Sequence, residues 1–150
     1  SCVVVLDRLQ DPGNLGTIMR AAEAAGVTGI LMSSDCVDIY NPKTIRSTMG
    51  ALYRVPFVVS EDFAGDIEHL KKAGVSTYAA HLGATISYEG ADYKKPCAFM
   101  IGNEANGLSD EVAALADCKI LIPMAGQVES LNAAMAATVL MFEAARQRRN

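Results

Sequence analysis

The sequence predicts an α/β domain with a mainly parallel sheet and helices on both of its faces. Three observations carry that expectation. Six short apolar runs rich in β-branched residues read as buried parallel strands. Helical patterns lie between most of them, and such alternation packs helices against a sheet. The 150 residues, 51% of them hydrophobic, contain no internal repeat, low-complexity tract or linker. One domain is therefore expected over residues 1–150, long enough to bury a core.

The first strand is expected at residues 3–6. Asp11-Pro12-Gly13-Asn14 then leads into a helix over 15–25, with Asn14 as its N-cap. Leu15, Ile18, Met19, Ala22 and Ala25 form its buried stripe. Strand 29–32, helix 42–49, strand 57–59 and helix 63–73 follow, then strand 75–80 and a loop-like interval over 87–95. Strand 98–101 enters a glycine- and asparagine-rich loop, after which Ser109 caps a helix over 110–115. Strand 120–122 leads through a Pro/Gly loop into a last helix, from residue 130 to residue 148. Leu131, Met135, Val139 and Phe142 form its apolar face, and its many alanines permit close approach to other helices or to a partner subunit. Arg146, Arg148 and Arg149 suit the C-terminal end of the helix dipole, with phosphate contact as their other use.

Composition removes several classes of function. No apolar run approaches the roughly 20 residues of a membrane span. Cys2, Cys36, Cys97 and Cys118 are scattered without a CxxC pair and read as free thiols. With His69 and His81 as the only histidines, no metal site is expected. No signal peptide is visible, and a cytoplasmic protein is expected. The chain opens on Ser1, which reads as a fragment or a trimmed form of a longer protein. The net charge of −4 is wrong for a domain that grips nucleic acid by charge alone. A missing segment, a second subunit or a local patch would have to help. One patch exists: no acid lies between Asp38 and Glu61, where Lys43, Arg46 and Arg54 stand with Tyr40 and Tyr53. It reads equally as a solvated face or as phosphate contacts.

Three segments carry the chemistry: residues 11–20 (DPGNLGTIMR), 101–108 (IGNEANGL) and 122–136 (IPMAGQVESLNAAMA). Each contains a loop after a strand, and ligands of such sheets bind at the carboxyl ends of strands. The three loops should therefore converge on one rim. Arg20 lies off the helix stripe, one turn after Gly16. A helical glycine costs about 1 kcal/mol relative to alanine, and open space for a substrate beside Arg20 would compensate. An exposed Arg20 paired with Glu23 is the competing reading. Glu104 stands alone among small residues, placed to orient a hydroxyl or an arginine, or simply solvated. Its loop lacks the lysine of a P-loop and the G-x-G-x-x-G of a dinucleotide site. Ser130 and Asn132 flank Leu131 at a helix entrance, where unpaired N–H groups can meet a polar ligand.

In order and spacing, these three segments resemble the motifs of the SpoU (TrmH-like) branch of the SPOUT RNA methyltransferases. The resemblance runs from the first strand to the closing RQRR. It implies an α/β fold whose C-terminal part is threaded into a trefoil knot, which periodicity alone does not suggest. It implies S-adenosylmethionine as cofactor, held by Gly102, Asn103, Ile122, Met124, Gly126, Ser130 and Leu131. The reaction implied is methyl transfer to a ribose 2′-hydroxyl of rRNA or tRNA. Arg20 is its principal catalytic candidate, and Asn14, Glu104, Ser130 and Asn132 match the other polar active-site positions. Lys43, Arg46 and Arg54 are the expected RNA contacts. The family also implies a homodimer. Many members carry an N-terminal RNA-binding domain, which is expected to be absent from this chain. A non-catalytic RNA-binding or assembly module that kept the fold is the alternative.

Overall fold

Alternation along the first strand sets the layers. In β1 (Cys2–Leu6), Cys2, Val4 and Leu6 enter one core while Val5 enters a second on the opposite side. The computed structural model describes residues 1–149. The other strands are β2 (Gly29–Ser33), β3 (Phe57–Ser60), β4 (Ser76–Ala80), β5 (Ile86–Ser87), β6 (Cys97–Ile101) and β7 (Cys118–Leu121). They form one sheet in the order β3-β2-β1-β6-β4-β7-β5, and every pairing is parallel. The first core packs under α1 (Pro12–Ala25), α2 (Pro42–Thr48) and α5 (Ala133–Arg148). The second lies under α3 (Phe63–Lys72) and α4 (Asp110–Ala113). The chain builds outward from β1 to β3 and then returns to the other side of β1. The loops after β1 and β6 are thereby neighbours at the switch point of the sheet.

Two helix starts differ from expectation, for the same reason. Asp11, not Asn14, caps α1: its Oδ1 accepts the N–H groups of Gly13 at 2.7 Å and Asn14 at 3.2 Å. Pro12 fits the first helical position because its missing N–H would be unpaired there anyway. At the other end of the chain α5 begins at Ala133, not at Ser130. Asn132 caps it, accepting from Ala134 N at 2.8 Å and Met135 N at 3.2 Å. Ser130 and Leu131 therefore belong to the preceding loop.

The face of α5 is also corrected. Ala134, Ala137, Leu140, Met141 and Ala144 are buried, while Met135 is 61% and Phe142 41% exposed. The side bearing Ala134, Ala137, Leu140, Met141 and Ala144 packs inward beside α1, and Met135 and Phe142 are left outside. The 87–95 interval is less loop-like than expected. It starts in β5, makes a 3₁₀ turn at Tyr88–Gly90 and buries Tyr93 between Tyr78 and Phe99, with ring centroids 5.1 and 4.9 Å away. Gln147 accepts from Tyr93 N and donates to the Ala91 carbonyl. Arg148 donates to the carbonyls of Ser1, Tyr93 and Lys95, so it ties the end of α5 to this segment.

Gly16 is explained by packing rather than by open space at Arg20. A Cβ there would lie 1.7 Å from Ser47 Oγ, 2.4 Å from its Cβ and 2.8 Å from its carbonyl carbon, so α1 and α2 touch at this point. Gly16→Ala is expected to lower stability by about 1–3 kcal/mol through overpacking. That sign opposes the roughly 1 kcal/mol gain of alanine in an open helix, so urea unfolding separates the two.

Candidate cofactor and substrate site

The loop after β6 is laid onto the short turn after β1, group by group. Asp7 N donates to the Ile101 carbonyl at 2.9 Å, and Asp7 Oδ2 accepts Ser109 N at 2.9 Å, which pins both ends of the loop. Between them, Asn103 Nδ2 donates to the Arg8 carbonyl at 2.8 Å, and Arg8 Nη2 donates to the Gly107 carbonyl at 3.0 Å. Asn103 also turns the loop from within, its Oδ1 accepting from Ala105 N and Asn106 N. The turn closes tightly on Gly102: a Cβ there would stand 2.0 Å from Leu108 N and 2.1 Å from the Gly107 carbonyl carbon. Only glycine permits that approach.

A polar chain then joins the three sequence segments. Glu104 accepts from Gln10 N at 3.0 and 3.2 Å, from Asp11 N at 2.7 Å and from Asn14 Nδ2 at 3.4 Å. Asn132 Nδ2 donates to Asn14 Oδ1 at 3.1 Å. Because Asp11 and Asn132 do the capping, the Asn14 side chain and the Asn132 amide nitrogen are available for this link. Burial acts to raise the pKa of Glu104. The N–H groups of Gln10, Asp11 and Glu104 itself, with the Asn14 amide, outweigh it and hold the carboxyl below the usual 4.5.

Beside this chain, at the carboxyl ends of β4, β6 and β7, lies a cavity of about 350 Å³. Of the expected cofactor positions, Gly102, Asn103, Ile122, Met124, Ser130 and Leu131 line it, as does Glu104. Gly126 does not; it lies in the exposed 123–130 stretch with open space around its Cα. The sequence reading missed the wall from the end of β4, His81 and Leu82, and the inward side of α5 at Ala136 and Leu140. No strand-end motif marks His81, and an alanine-rich helix face points to close packing against a helix or a partner subunit, not to a pocket wall. It also missed Arg8, because an arginine after a strand carries no signal of its own.

Arg20 is exposed on α1, outside the cavity wall, and makes no hydrogen bond or ion pair among the described residues. The expected alternative pairing with Glu23 is overturned: Glu23 is held by Arg54, through Nε and through Nη2 at 2.9 Å. Arg54 is thus occupied within its own chain, whereas Lys43 and Arg46 are exposed on α2. Tyr53 is 81% exposed and Tyr40 63%.

The cavity can take a cofactor of nucleoside size. Its volume is in the range of small-molecule sites, about 300–1,000 Å³. Apolar side chains of Ile101, Leu121, Ile122 and Leu140 offer surface for a ring, and the ionised Glu104 suits a cationic group. Residues 1–142 match the SpoU rRNA Methylase family. The chain is 42% identical over 144 residues to an uncharacterized tRNA/rRNA methyltransferase of Synechocystis sp., covering 96% of this chain and 53% of the relative. It is 35% identical over 140 residues to the 23S rRNA (guanosine(2553)-2'-O)-methyltransferase RlmP of Bacillus subtilis, covering 93% and 56%. The crystal structure of an AdoMet-bound rRNA methyltransferase from Sinorhizobium meliloti superposes with a TM-score of 0.90 at 40% identity, covering 97% of this chain and 56% of that one. The chain therefore spans little more than half the length of these relatives. Its sheet order, its converging strand-end loops and these matches agree: the fold is the α/β knot, and the chain belongs to the SpoU rRNA methylase family.

Proposed function

We propose that this domain transfers a methyl group from S-adenosylmethionine to a ribose 2′-hydroxyl of ribosomal or transfer RNA. The observation that carries the reading is the joining of Glu104, Asn14 and Asn132 into one polar chain beside a cavity of nucleoside size. The relatives' names and the AdoMet-bound neighbour support it. Gly102, Asn103, Ile122, Met124, Ser130 and Leu131 would hold the cofactor, with Gly126 outside the pocket wall. When bound, the cofactor supplies an electrophilic methyl group on a sulfonium.

The chain's own residues orient and stabilise. Glu104 spends its oxygens on N–H donors and has a lowered pKa, which makes it a poor proton acceptor and a good anchor for Asn14. Ser130 lines the cavity beside Leu131, where its hydroxyl can align the 2′-hydroxyl, while Asn132 holds Asn14 in place. A guanidinium is protonated at any ordinary pH, so Arg20 acts by stabilising the developing alkoxide and clamping the adjacent phosphate. The proton leaves through that phosphate or through water. Lys43 and Arg46, with exposed Tyr40 and Tyr53 nearby, provide RNA contacts that the net charge does not. Arg54 contributes less, since Glu23 neutralises it.

Arg20 lies six residues beyond Asn14, about 9 Å along the helix axis. Its place outside the wall of its own cavity, with Met135 and Phe142 exposed on α5, supports a homodimer in which Arg20 serves the site of the second copy. We also read the protein as cytoplasmic, since the proposed substrate is rRNA or tRNA and its four cysteines are free. No helix among the described residues is long and apolar enough to cross a membrane.

Calorimetric titration with S-adenosylmethionine tests the reading first: binding is expected, and a folded protein that takes up none would point to an RNA-binding module instead. Arg20→Ala is expected to abolish turnover while cofactor binding survives; loss of both in a folded variant would remove its assigned role. Gly102→Val should be inactive through loss of the pocket. If Arg20 serves the second copy, co-refolding Gly102→Val with Arg20→Ala restores activity, whereas service within one chain restores none. Lys43→Glu with Arg46→Glu should weaken RNA binding and flatten its salt dependence, read by filter binding at several ionic strengths. Glu104 has a depressed pKa, so its stabilising effect is present above pH 4.5 and is lost as pH falls through its lower folded value. Urea melts of wild type and Glu104→Gln should therefore converge toward acid; parallel curves would contradict this.

A further inference from the structure

We propose that Arg8 is a positioning residue for the cofactor pocket, acting through the Gly107 carbonyl. The proposal rests on the cofactor reading above. Arg8 has φ +57°, in the left-handed region where glycine sits freely and other side chains are disfavoured. A residue held there is a reason to ask what its side chain gains. The guanidinium reaches across the switch point between β1 and β6. Nη2 donates to the Gly107 carbonyl at 3.0 Å, while Nε lies 3.4 Å from Oδ1 of the buried Asp7.

The two contacts act on one loop. Asp7 Oδ2 holds Ser109 N, and Gly107 is part of the cavity wall. The Gly107 carbonyl also accepts Asn103 N at 3.0 Å, closing the narrow turn against which Gly102 is packed. The Arg8 main chain adds to the hold, its carbonyl accepting Asn103 Nδ2 and its N–H donating to Ser33 Oγ at 2.9 Å. The guanidinium thus hydrogen-bonds the turn that shapes the pocket through Nη2, while its buried Nε makes no hydrogen bond and meets the Asp7 carboxylate by charge alone. A lysine ammonium has no fork with which to meet both groups in this geometry.

The test uses two variants and two readouts. Arg8→Gly keeps the backbone conformation and removes the fork. Arg8→Lys keeps a countercharge for Asp7 but not the double contact. In both, the Kd for S-adenosylmethionine by calorimetry should rise about tenfold, the scale of one lost charge-assisted hydrogen bond. The KM for cofactor should rise with it, while kcat at saturating cofactor changes far less. Arg8→Lys should retain the melting temperature of the ligand-free protein, which a purely structural role would not separate from affinity. Wild-type affinity in either folded variant, or a fall in melting temperature with affinity intact, overturns the proposal. Absence of binding by the wild type would instead overturn the cofactor reading on which it rests.

Discussion

The site depends on one constraint: the parallel pairing of β1 with β6, which runs from Cys2 against Cys97 to Leu6 against Ile101. That register brings the turn at residues 7–11 alongside the loop at 101–109. Asp7 is buried at this seam and needs partners there; it finds them in Ser109 N and in the Arg8 guanidinium. With both loop ends fixed, Gly102 can close against Leu108 without a side chain in the way. A slip of one residue in this pairing would move each β6 side chain from one core to the other and unseat the loop together with its carboxylate.

Helix termini supply the second element of the design. A cap consumes a side chain, and the choice of cap decides which polar groups remain for chemistry. Asp11 takes that duty at α1, which leaves the whole amide of Asn14 to face Glu104 and Asn132. Asn132 divides its own amide, with Oδ1 on the helix N–H groups and Nδ2 on Asn14. Capping and site assembly are thus one network, so α5 is docked to α1 at its N-cap, Asn132. Small residues along the inner face of α5 continue that docking and leave Met135 and Phe142 facing outward.

Electrostatics follows the same division. Glu23 neutralises Arg54 within the basic stretch, and Glu143 is paired with Arg146 on α5. Lys43 and Arg46 stay exposed in an acid-free stretch, and Arg20 is exposed on α1, which packs directly on α2 at Gly16. A domain of net charge −4 therefore still carries exposed cations, Arg20, Lys43 and Arg46, on the adjoining helices α1 and α2.

The sequence by itself determined the strand–helix alternation, because short β-branched runs and 3.6-residue stripes are local signals. It also located the three segments, since glycine, asparagine and an isolated glutamate in strand-end loops are visible without a structure. Other features depend on which strands become neighbours, and only the tertiary structure decided them. The cap of α1 moved from Asn14 to Asp11 because Pro12 can begin a helix and Asn14 has a distant partner in Glu104. Gly16 owes its place to Ser47, 31 positions away in sequence, and Glu23 is held by Arg54 rather than by Arg20. Arg8 gave no local signal at all: its importance comes from Gly107, 99 residues distant, which parallel pairing brings within hydrogen-bonding reach.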